Sequence, residues 1–274
     1  MPDGAAHSDL TVESLRRLQL INDEEWAVLE PSFPPPATRG RPLKWTLRHV
    51  FEAVLFVLVT GCQWKLLPPD FPPRSTVHRH FVRWTRDRLF HRLNHRVVML
   101  DREREGREAS PTAAVIDSKT VRGGVTGRIS AYDGGKKIKG LKWHLMVDVG
   151  GRLLALILTA ANVHDSRAAI PLVKLSRKSW PFVEKVWADK GYQGDAVADA
   201  VRPVEVEIVT GPKNQKGFIV QKRRWVVERS FSWIERNRRL LVNHEKLEAS
   251  VTAYVILAAS MVLVRRIAAS GIMG

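Results

Sequence analysis

Two short apolar runs that each stop on an aspartate constrain this chain most. One precedes Asp117 in AAVIDSKTVRGG, and the other precedes Asp189 in VWADKGYQGD. Brief runs rich in Val, Ala and Trp, bounded by Ser, Gly or Lys, read as buried strands. A third acid, Glu228, lies in QKRRWVVERSFSWIERNRRL, inside a stretch from Ile219 to Leu263 that has neither Gly nor Pro and reads as helix. Carboxylates at two strand ends and on one packed helix can converge on divalent metal beside phosphate.

The charge balance points the same way. Lys and Arg number 44 against 28 Asp and Glu, a formal +16. Such an excess attracts polyanions, nucleic acid or an anionic membrane surface. The bland alternative is a solvated basic surface with no dedicated partner. At 274 residues and 45% hydrophobic content the chain can bury a sizeable core and form two domains. Cys62 stands alone, which excludes an intramolecular disulfide or a cysteine-based zinc cluster and fits a reducing compartment. The start, MPDGAAHSDL, is too polar for a signal peptide. The apolar stretches Phe51–Val59 and Ala253–Val264 fall short of the ~20 residues of a membrane span, so both are expected as core helices of a soluble protein with no membrane partner.

Residues 1–105 read as helical. Asn22 and Glu25 form a capping box for a helix carrying Trp26 and Leu29, Thr46 opens a second, and Ser75 is expected to cap a third. In that third helix Val77, Phe81 and Trp84 recur at helical spacing while Arg79, Arg83 and Arg86 take other faces. This suits a helix laid on DNA, as in helix-turn-helix modules, and equally an ordinary amphipathic helix. The charged segment DREREGREAS from Asp101 reads as a linker. From 110 to 274 the pattern turns to strands, with Gly150-Gly151 as a hairpin turn, a helix after Asp165, and further strands at KVWAD and VEVEIV. A mixed α/β sheet with flanking helices follows.

Two neighbouring aspartates repel unless cations neutralise them, so a metal is the natural third party. Hard oxygen ligands favour Mg²⁺ or Mn²⁺ over zinc. Lys119 and Arg122 follow Asp117 and can touch phosphate, as can Lys136, Lys137, Lys139, Arg224, Arg229 and Arg236. Neutralising several phosphates gives strong, salt-dependent binding. For Glu228 the alternative is a simple salt bridge to Arg224, and Glu235, two turns later, is a rival. Trp225, Phe231 and Trp233 around Glu228 are expected to pin its helix to the sheet. His144 and His164 read as packed histidines, and Asp133, Asp148 and Asp165 as turn or capping residues.

Together the motifs TGCQWKLLPPDFPPRSTVHRHFVRW, VIDSKTVR, GGKKIKGLKWHLMVDVGG, ADKGYQGD and RRWVVERSFSWIERNRRL resemble those of DDE-class bacterial insertion-sequence transposases, specifically the insertion-sequence-five family. That resemblance implies a ribonuclease-H-like catalytic domain over 110–274, with Asp117, Asp189 and Glu228 as its acidic triad holding two Mg²⁺ ions. It also implies an N-terminal all-helical domain that helps recognise terminal inverted repeats. Its partners would be double-stranded DNA, repeats and target alike, and a second protomer on DNA, in the bacterial cytoplasm and nucleoid. In the related insertion-sequence-four family a Tyr-x-x-Arg-x-x-x-Glu signature is followed by a basic residue; here Gln221 and Glu235 stand at the tyrosine and basic positions. A silent DNA-binding repressor and a plain metal-dependent nuclease are the alternatives.

Overall fold

The computed structural model describes residues 20–35, 44–124, 130–209 and 225–271. Among the described residues the first helices are α1 (Asp23–Leu29), α2 (Leu47–Thr60), α3 (Arg74–Arg86) and α4 (Leu89–Arg104). The expected capping box closes at α1. The Asn22 side chain accepts from the Glu25 amide at 2.7 Å, and the Glu25 carboxylate takes the Asn22 amide in return. Thr46 caps α2 by accepting from the His49 amide at 3.2 Å. Ser75 does not cap α3, which starts at Arg74 behind Pro73; proline has no N–H to leave unpaired there. Phe33 joins these helices through rings of Phe51 and Trp84, each 5.3 Å away.

Among the described residues six strands follow: β1 (Ala113–Arg122), β2 (Ala131–Asp133), β3 (Ile138–Asp148), β4 (Leu153–Ala160), β5 (Lys185–Ala188) and β6 (Glu205–Ile208). They form one mixed sheet. Antiparallel β3 flanks β1 on one side, with β4 and β2 sharing the outer edge of β3. On the other side β5 and then β6 run parallel to β1. The hairpin at Gly150-Gly151 forms as expected. Gly151 adopts φ 87°, where a side chain would be strained, and Asp148 Oδ1 accepts from the amides of Gly150 and Arg152, both at 2.9 Å.

Helices cover both faces. After β4 comes α5 (Asp165–Arg177), which packs on β3 and β4; α6 (Asp195–Ala200) follows β5. Then α7 (Trp225–Glu235) lies over β1 and β3, and α8 (Glu248–Ala269) packs on β4 and α4. Successive residues of a strand point to opposite faces. Lys119 meets α7, whereas Lys142, paired across from Thr120, meets α5, so α5 and α7 take opposite sides of the sheet. The buried residues of the N-terminal helices and the sheet form one contiguous apolar cluster.

Three expectations are corrected. The segment from Asp101 is not a solvated linker at its start. Asp101 is fully buried in the last turn of α4, with Arg152 at 2.7 Å, Arg104 at 2.8 Å and Arg266 at 3.6 Å, while Arg102 reaches Asp148 at 2.6 Å. A run without apolar residues can still be buried when each charge has a partner. Next, the continuous helix expected from Ile219 to Leu263 breaks in two. Asn237 Nδ2 donates back to the Ile234 carbonyl at 2.9 Å and closes α7. The connection then runs along β1: Asn243 donates to Arg122 O at 2.9 Å and accepts from the Gly124 amide at 2.7 Å. Finally, α8 has 22 residues and is long and apolar enough to cross a membrane, but 72% of its most apolar window is buried inside the fold. It is the core helix expected, only longer.

Candidate active site

The ladder between β1 and β5 pairs Ala113 with Lys185, Ala114 with Val186 and Val115 with Trp187, then stops although β1 runs on to Arg122. Two residues past the last pair on each strand come Asp117 and Asp189. In a parallel pair, residues at equal offset stand level and face the same way. By that register the two carboxylates share one face, Asp117 midway along β1 and Asp189 just past the C-terminal end of β5. There β1 has an antiparallel neighbour on one side and a parallel one on the other, a place where open α/β sheets bind ligands.

Local bonds orient each acid. Asp117 Oδ1 accepts from the Ser118 amide at 2.7 Å, and Asp189 Oδ1 accepts from Gly191 N at 2.9 Å as it caps the turn Lys190–Tyr192. Behind the turn, Tyr192 is almost wholly buried, its hydroxyl 3.3 Å from His144 Nδ1 and bonded to the Ser118 side chain. Its phenol is pushed well above the usual range by burial first, then by the carboxylates of Asp165, Asp117 and Asp189. His144, fully buried, is driven down to about 4, chiefly by burial.

Asp165 escaped the sequence reading as a site residue. Its Oδ1 accepts from Lys142 Nζ at 3.0 Å, and it neighbours Asp189: a Cβ on Gly191 would lie 3.0 Å from Asp189 Oδ1 and 3.3 Å from Asp165 Oδ2. One signal was available. Lys142 and His144 put polar groups at period two within the otherwise apolar KWHLMV.

Glu228 is exposed in the first turn of α7. An ion pair between Lys119 Nζ and Glu235 ties the end of α7 to β1. Seven residues make nearly two turns, so Glu228 and Glu235 share a helix face about 10 Å apart along the axis. Val226, Val227, Ser230, Phe231 and Ile234 seat the helix. Trp225, expected to pin it, is 42% exposed instead. Among the described residues no three His, Cys, Asp or Glu side chains close into a ready cation cage. The ladder register thus sets Asp117 and Asp189 at equal offsets on neighbouring strands, and Glu228 is carried by the helix that packs over β1 and β3.

The basic residues fall into two groups. Arg122, Lys136, Lys137 and Lys139 are exposed at the C-terminal end of β1 and the neighbouring β2–β3 turn, the end toward which the aspartates lie. Arg79 and Arg83 are exposed on α3, and Arg236 just beyond α7. Arg229 is engaged in packing. Its guanidinium lies 4.2 Å from the Trp225 ring and 4.6 Å from that of Trp233, and donates to Gly150 O at 2.9 Å. Arg224 lies outside the described residues.

Residues 108–263 match the family described as "Transposase DDE domain", more than half of the chain, and the protein belongs to that family. Residues 21–94 match the family described as "Putative transposase of IS4/5 family". Among curated proteins it is similar to the "Putative transposase for insertion sequence element IS402" of Burkholderia cepacia, 33% identical over 115 residues, which is 39% of this chain and 54% of that protein. The match thus spans about half the length of that relative. No solved structure matches the chain.

Proposed function

We propose that the protein binds the terminal inverted repeats of an insertion sequence and catalyses metal-dependent strand cleavage followed by strand transfer. The observation that carries this reading is the placement of Asp117 and Asp189, level on adjacent parallel strands of a transposase-family domain. The strand order, three antiparallel strands continued by two parallel ones, supports a ribonuclease-H-like core. The donors fit a hard cation: they are carboxylate oxygens, and the nearby imidazole of His144 is buried and engaged with Thr159 and Tyr192.

In this reading Asp117, Asp189 and Glu228 would together hold two Mg²⁺ ions. Divalent ions, when bound, supply Lewis acidity to the attacking and leaving oxygens of an in-line displacement. The first reaction hydrolyses a phosphodiester at the element's end. The second directs the freed 3′-hydroxyl at target DNA, without a covalent protein–DNA intermediate and without ATP. The helices up to about residue 105 act as the repeat-binding domain, with Arg79 and Arg83 on phosphate. The strand-bearing half acts as the catalytic domain, with Arg122, Lys136, Lys137, Lys139 and Arg236 along the DNA. Two protomers hold the two ends, in the bacterial cytoplasm.

The test is Mg²⁺-dependent nicking of a terminal-repeat duplex, followed by joining of a pre-cut end. Asp117→Ala and Asp189→Ala should abolish both reactions and leave metal-free DNA binding intact. Full cleavage by a DNA-binding Asp117→Ala protein overturns the assignment. Cleavage without joining identifies a plain nuclease, and binding without either identifies a repressor.

A further inference from the structure

We infer that Asp165 is a positioning residue of the carboxylate site, fixed by Lys142 and set beside Asp189 to take a hydrogen bond from the water shell of the cation that Asp117 and Asp189 would hold. This rests on the reading of those two aspartates as cation ligands.

Lys142 supplies the first observation. It points from β3 into the face covered by α5 and is only 8% exposed. A buried ammonium is costly unless it is paired and hydrogen-bonded. Its nitrogen donates to Val163 O at 2.9 Å and to Asp165 Oδ1 at 3.0 Å. One carboxylate oxygen is thereby pinned, and the other, Oδ2, is turned to Gly191, where it meets the same small volume as Asp189 Oδ1.

A capping role does not account for Asp165. The residue in the cap position of α5 is His164, whose Nδ1 accepts from the Ser166 amide at 3.3 Å. Nor is the neighbourhood casual. The β1–β5 ladder ends at Val115 and Trp187, and beyond it a group from the α5 face can approach acids borne on the opposite face. Tyr192 fills the space beneath, and the carboxylates of Asp117, Asp165 and Asp189 all act on its hydroxyl. Groups that hydrogen-bond around a metal site, without being ligands, commonly set its affinity, and their removal costs about 10–100-fold.

The experiment is direct Mn²⁺ binding to the full chain without DNA, read from the paramagnetic resonance of free Mn²⁺. Asp165→Asn should weaken binding by about 10–100-fold while leaving metal-free DNA binding unchanged. Because that variant strands the Lys142 charge, the pair Asp165→Asn with Lys142→Met repeats the measurement in a neutral pocket and should weaken Mn²⁺ alike. Unchanged Mn²⁺ affinity in either folded variant overturns the role of Asp165. Asp117→Asn, run alongside, separates the two readings. If it abolishes Mn²⁺ binding and Asp165→Asn does not, only Asp165 is misassigned; if it too has no effect, the carboxylate site itself fails and this inference with it.

Discussion

Lys119 on β1 holds Glu235 on α7, and through that ion pair the strand carrying Asp117 is tied to the helix carrying Glu228. The pair is part-exposed, so its loss should change stability by no more than about 1 kcal/mol. Its effect on cleavage should be larger, because it positions the helix. Glu235→Gln is expected to lower nicking several-fold at nearly unchanged urea midpoint, and the charge-swapped Lys119→Glu/Glu235→Lys protein to recover much of it. A double-mutant cycle on nicking rates checks this; additive losses would mean that the pair does not act as a unit.

Gly191 stands where a methyl group would press on both Asp189 and Asp165. Gly191→Ala should fold normally, since its φ lies outside the region that favours glycine. Displacing the acids should reduce cleavage by roughly 100-fold, the cost of an ångström-scale misplacement at a reacting centre. Nicking rate at saturating metal, set against thermal stability, is the measurement.

Arg152 is fully buried between Asp101 and Asp148. Arg152→Met leaves two buried carboxylates short of a partner and should cost about 3–5 kcal/mol, read from urea unfolding. Breaking the exposed Arg86–Asp87 pair should cost at most about 1 kcal/mol, and comparable losses from the two would contradict the burial of the first.

His144 should make the fold acid-sensitive. Burial lowers its pKa from the usual 6.5 to about 4, aided by Lys142 and Lys136 and opposed by Asp165. A depressed pKa means that the unfolded chain binds the proton more readily. Stability from this group is therefore complete above pH 6.5 and is lost as pH falls toward 4, by roughly 3 kcal/mol. His144→Gln should flatten the pH dependence of the urea midpoint in that window. An unchanged slope would count against it.

The strands leading into Asp117 and Asp189, the Asn22 and Thr46 caps and the Gly150-Gly151 turn were legible because each rests on neighbours in the chain, although the first strand does not stop at Asp117 but runs on to Arg122. What escaped depends on distant partners. Asp101 reads as solvated until Arg152 is seen beside it, and Asp165 reads as a turn residue until Lys142 claims one of its oxygens. The break after α7 escaped for a related reason. Absence of Gly and Pro permits a helix without compelling one, and Asn243 found its hydrogen bonds on β1 and the residues just after it. Glu228 could be assigned to a helix from sequence, but its approach to the aspartates depends on how that helix sits, which no local pattern encodes.

The knot of arginines and aspartates at the end of α4 couples the helical front of the molecule to its sheet. Torque taken up by α3 or α4 passes into the β3–β4 hairpin, and from there to the strand that bears Asp117.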